Sequence, residues 1–169
     1  MTKLLLFLAI GILARLLPHP ANFTPIAAIA LFGGTYLTKK QAIALPLIIM
    51  ILSDLLIGFD SIQMRASVYG SLLISVLLGF WINKNKTAGN IIVGSLLSSI
   101  IFFVITNFSV WAFGSMYVKS ISGLTECYLM AIPFFKNTLL GDLFYSGLFF
   151  GGYELVRSVS KLKILNFKL

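Results

Sequence analysis

From Asn90 to Phe113 the chain reads NIIVGSLLSSIIFFVITNFSVWAF, without one charged side chain. A helix of that length reaches across the hydrocarbon core of a bilayer, which takes about 20 mostly apolar residues. Five more apolar stretches follow the same pattern, at residues 3–17, 24–38, 41–59, 66–82 and 137–156. With 59% hydrophobic and 11% charged residues, and a mean hydropathy of +0.99, the chain has too little charge to cover a water-soluble globule of 169 residues. The expectation is an all-α polytopic membrane protein, a single domain over residues 1–169 with six transmembrane helices. The first two stretches are shorter than a perpendicular span, so they tilt little or thin the bilayer locally. Residues 123–135, GLTECYLMAIPFF, are apolar but short and are interrupted by Pro133, which suits an interfacial or re-entrant piece. The opening MTKLLLFLAIGILARLL imitates a secretory signal, but Arg15 stands where small cleavage-site residues belong. It is expected to be retained as the first span.

The formal charge of +8 is a topology signal here rather than a nucleic-acid footprint, because the cations sit in short clusters between apolar stretches. Threading six spans places Lys3, Lys39, Lys40, Lys84, Lys86, Arg157, Lys161, Lys163 and Lys168 on one side. Arg15, Arg65, Lys119 and Lys136 fall on the other. The positive-inside rule then puts both termini in the cytoplasm. The C-terminal run RSVSKLKILNFKL reads as a basic anchor along that surface.

This topology gathers Asp54, Asp60, Glu126 and Asp142 in the outer half, with Asn107, Trp111 and Asn137. Ionisable groups within spans are expensive and face the protein interior or a water-filled cavity. Asp54 and Asp142 either tie helices by pairing with Arg15, Arg65 or Lys136, or they line a small-ligand site. Trp111 lies one helical turn from Asn107 and so on its face, where it can stack on a flat ligand. Tyr69, Trp111, Tyr117 and Tyr128 also fit an interfacial aromatic belt. The segment LPHPANFTPIAAIALFGG adds three prolines, His19, Asn22 and Thr24 at the same membrane edge. Cys127 reads as a small apolar residue or a soft ligand, and one cysteine with one histidine provides no spaced metal cluster. No phosphate loop, zinc-protease motif or nucleophile elbow is present, so neither an enzyme nor a cofactor is expected. Ala30 and Gly34 have the small-xxx-small spacing of a helix-docking face, against another span or another subunit.

The strings RLLPHPANFTPIAAIALFGG, LSDLLIGFD, FFVITNFSVW and CYLMAIPFFKNTLLGDLFY resemble the signature segments of an uncharacterised family of proposed bacterial membrane transport proteins. The resemblance runs from about residue 15 to residue 152. That family is similar, more distantly, to the substrate-binding S components of energy-coupling-factor vitamin transporters. It implies a six-helix bundle with outer capping loops that captures a vitamin or metal at the outer face. Carried onto this chain, it marks His19, Asn22, Asp54, Asn107, Trp111, Cys127, Tyr128, Asn137 and Asp142 as the site, to which the residue reading adds Tyr69. Asp60 departs from the histidine common in relatives, and Ala9 and Ala14 lack the A-x-x-x-A spacing that docks an energising subunit. An ATP-driven partner therefore stays open. The expected function is binding and import of a small vitamin-like nutrient from the outer face. The rival is a structural or assembly protein whose outer polar cluster only ties helices together.

Overall fold

The computed structural model describes residues 2–166. Six helices follow one another: α1 (Thr2–Leu16), α2 (Ile26–Tyr36), α3 (Lys39–Ile57), α4 (Ile62–Lys84), α5 (Ala88–Phe113) and α6 (Ile121–Asn166). Each expected apolar stretch lies largely within one of them. Among the described residues, α3, α4 and α5 are long and apolar enough to cross a membrane, while α1 and α2 are shorter apolar helices. Lys168 lies outside the described residues, as do the side chains of Lys3, Lys161 and Lys163.

The bundle exposes many large apolar side chains on its outer surface. The interior joins an apolar core, with Ile29, Leu31, Leu45 and Ile49 fully covered, to buried serines, among them Ser53, Ser71, Ser75, Ser95, Ser98 and Ser99, whereas Leu5, Leu13, Ile51, Leu77, Ile100 and Phe144 point outward. Small residues at the contacts let the backbones of neighbouring helices approach. The serine hydroxyls are satisfied within the bundle: Ser75 and Ser98 share a hydrogen bond of 2.5 Å between α4 and α5. Ser71 donates to the carbonyl of Ser67, one turn back.

α2 is the axis. It is buried on every side from Ile26 to Thr35 and packs against all five other helices. Its approach to α4 is fixed by two glycines: a Cβ on Gly34 would strike the carbonyl oxygen of Val76, and one on Gly79 would strike that of Leu31. Thr35 completes the seam by donating to the carbonyl of Gly79 at 3.2 Å. The Ala30/Gly34 stripe is thus consumed inside the chain. Both residues are buried, so of the two alternatives the stripe takes packing against another span of the same chain.

Residues 123–135 are not a separate element: they form the first part of α6, which runs unbroken for 46 residues through Pro133. At 1.5 Å per residue this helix is about 69 Å long. Proline removes one backbone donor and bends a helix. In apolar surroundings, however, leaving the helix would free far more backbone groups than the single bond lost. Helix α4 also starts earlier than expected, at Ile62, because the Ser61 side chain accepts from the backbone N–H of Met64 and caps it.

Because successive helices alternate in direction, the α1–α2, α3–α4 and α5–α6 connections share one end of the bundle. The contact of Asn137 with the loop at Ala21 and that of Ser109 with Gln63 belong to this end. At the other end Tyr36 donates to Glu154 at 3.0 Å and packs against Tyr153, the rings tilted by 41° with centroids 4.2 Å apart.

Candidate ligand cavity

A cavity of about 350 Å³ opens beneath the α1–α2 loop, and all six helices contribute to it. Its walls are apolar: Ile26 and Ala27 from α2, Met50 and Ile57 from α3, Val68 and Leu72 from α4, Phe102 from α5. Its polar groups are few: Arg15 from α1, His19, Asn22 and Thr24 from the loop, Thr138 and Asp142 from α6. That volume and that mixture suit a small organic molecule held by a few directional groups.

The loop over it is shaped by local chemistry. The backbone N–H of Phe23 donates to the carbonyl of Pro20 at 2.9 Å, closing a tight turn. Asn22 takes φ 65° at the third position, where a type II turn requires a left-handed residue and asparagine tolerates it. His19 Nδ1 donates to the carbonyl of Leu17 at 2.8 Å. The loop is then pinned to α6. Asn137 Nδ2 donates to the carbonyl of Ala21 at 3.0 Å, and Phe23 packs on Gly141, where a Cβ would come within 3.3 Å of it. The rings of Phe144 and Tyr145 flank Phe23 at 6.1 and 5.6 Å. Three prolines in this stretch lower the entropy lost on ordering it.

The two aspartates meet different fates. Asp54 on α3 is almost fully satisfied. Arg15 donates to its Oδ1 at 2.6 Å, to Ser53 Oγ at 2.6 Å and onto Met50, while Tyr69 donates to its Oδ2 at 2.5 Å. One acid therefore joins α1, α3 and α4. Asp142, on α6, is 3% exposed, and Ser99 donates to its Oδ2 at 2.6 Å. Among the described residues no lysine or arginine forms an ion pair with it. It lines the cavity about 7.5 Å farther along α6 than Asn137.

Of the residues singled out in the sequence, His19, Asn22, Thr24 and Asp142 thus meet at the cavity. Asp54 and Tyr69 stand behind Arg15 as its support, and Asn137 holds the loop. Asn107, Trp111, Cys127 and Tyr128 do not join them. They belong to a second group between α5 and α6 in which each side chain donates to a backbone carbonyl. Asn107 donates to Phe103 O at 2.8 Å, Trp111 to Val118 O at 3.0 Å, Cys127 to Asn107 O at 3.4 Å and Tyr128 to Val104 O at 2.7 Å. The shared face of Asn107 and Trp111 is real, but the indole is not among the cavity's walls. Asp60 and Arg65 also stand apart, Arg65 donating to the Asp60 carbonyl at 3.1 Å and lying over the Phe59 ring.

The sequence reading missed the apolar walls and one polar residue, Thr138. Thr138 lies one helical turn before Asp142 on the same face of α6, a spacing that would have found it. Phe102 carries no signal distinguishing it from its phenylalanine neighbours. Among the described residues, no group of three His, Cys, Asp or Glu side chains is placed to hold a metal.

A family model covers residues 1–165. The chain belongs to DUF6580, a family of unknown function. The DUF6580 match spans every residue of the cavity, of its loop and of the Arg15–Asp54–Tyr69 group. No curated protein and no solved structure matches the chain.

Proposed function

We propose that this DUF6580 member is a membrane transport protein that binds a small nutrient, vitamin-like in size, in the cavity beneath the α1–α2 loop and imports it. The observation that carries the reading is the pairing of a shaped, pinned loop with a cavity that ends on a buried acid lacking a cationic partner among the described residues. A protein that needed only helix ties would have no use for an open volume there. The six helices would all lie in the bacterial inner membrane, with the loop end facing outward and both termini cytoplasmic. The distribution of Lys39, Lys40, Lys84, Lys86 and Arg157 at the other end supports that orientation. Capture at the outer face is the S-component mode of action. An ATP-driven energising module would have to dock elsewhere than at Ala30 and Gly34.

The rival structural reading draws on the Arg15–Asp54–Tyr69 group, which does tie three helices. It accounts for that corner and leaves Asp142 without a purpose. Mass spectrometry of small molecules that co-purify with the detergent-solubilised chain tests the choice. A metabolite held by the wild type and lost from folded Asp142→Asn is expected. The same metabolite retained by Asp142→Asn, at wild-type occupancy, would move the site away from this cavity.

A further inference from the structure

The charges around the cavity do not balance, and the imbalance points to the chemistry of its occupant. On α1, Arg15 is committed to Asp54 and Ser53. The loop contributes His19, which is exposed and engaged with Leu17. The walls from α2, α3 and α4 are apolar at Ala27, Met50 and Leu72, and α4's Tyr69 gives its proton to Asp54. α5 brings Phe102 to the wall and the Ser99 hydroxyl to Asp142. α6 brings Thr138 and Asp142 itself. Arg15 and Asp54 cancel, so one acidic side chain, 97% covered because only 3% of it is exposed, is left at an otherwise neutral, largely apolar site. A carboxylate so placed is costly unless something positive sits against it.

We infer that the molecule bound here carries a cationic, N–H-bearing group, such as a protonated amine, that seats on the Asp142 carboxylate while its apolar remainder lies against Ala27, Leu72 and Phe102. This rests on the proposed ligand-binding role of the cavity and names the class of ligand it takes. Ser99 orients one carboxylate oxygen and leaves the other for the ligand. Thr138 Oγ1, whose proton goes to the carbonyl of Phe134 at 3.0 Å, has lone pairs free to accept from a second N–H. Anions are disfavoured by the same carboxylate, and neutral isosteres give it no charge to meet.

The test uses three probes with one apolar body: phenethylamine, phenethyl alcohol and phenylacetate. Each is titrated against the full-length chain in detergent, with the shift in melting temperature converted to an apparent Kd. The wild type is expected to bind the amine roughly tenfold or more tightly than the alcohol, with phenylacetate weakest. In Asp142→Asn the amine should lose that advantage and bind like the alcohol. The ranking in the wild type decides the matter even if the variant does not fold. Amine and alcohol binding alike, or phenylacetate binding tightest, would overturn the cationic ligand while leaving the cavity a binding site. No shift with any probe would remove the binding role itself, and this inference with it.

Discussion

The corner around Asp54 and the corner around Asp142 begin from the same residue type, buried at similar depth in two helices of one bundle, and end in opposite states. Asp54 accepts from Arg15 on α1 and from Tyr69 on α4, and its charge is matched by Arg15 at 2.6 Å. Asp142 has the Ser99 hydroxyl and an open cavity. The first arrangement is complete without any other molecule, and the second is completed only by one. A buried acid by itself therefore says nothing about binding. What separates a strut from a site is whether the protein supplies the counter-charge.

The contrast can be broken most forcefully at Arg15. Arg15→Met strips the counter-charge from Asp54 and leaves a buried carboxylate alone, which should cost about 3–5 kcal/mol. It would be read as a large fall in melting temperature in detergent. A fall no greater than that of an exposed surface variant would mean that the corner is no strut. A smaller loss is expected from Tyr69→Phe, which removes one hydrogen bond to a charged group, about 1.5–3 kcal/mol, without changing shape. The same melt checks it, and adding Arg15→Met to Tyr69→Phe should cost less than the sum of the two, because both act through Asp54.

Much of this fold was legible in the sequence because the bilayer demands long apolar runs, and the six stretches map onto the six helices. Their ends were less so. The Ser61 cap lengthened α4, and α6 continues through Pro133, which removes a single backbone donor. At the site, spacing showed that Asn107 and Trp111 share a face, but not that the face looks away from the cavity. Arg15 was one of three cations offered to Asp54. Choosing among them required knowing that α1 packs on α3. The role of Ala30 and Gly34 was hidden for the same reason: small-residue spacing announces a close contact, and only the position of Gly79 opposite Gly34 says with what.

The central claim is that Asp54 serves the fold and Asp142 serves a ligand. It is tested most directly by melting Asp54→Asn and Asp142→Asn side by side, as ligand-free protein in one detergent. Asp54→Asn leaves Arg15 partly buried and unmatched, so it should melt well below the wild type, by an amount comparable to Arg15→Met. Asp142→Asn removes a charge that the fold does not use and should melt at or slightly above the wild-type temperature. If Asp142→Asn falls as far as Asp54→Asn, both acids are struts and the cavity has lost its reason to bind.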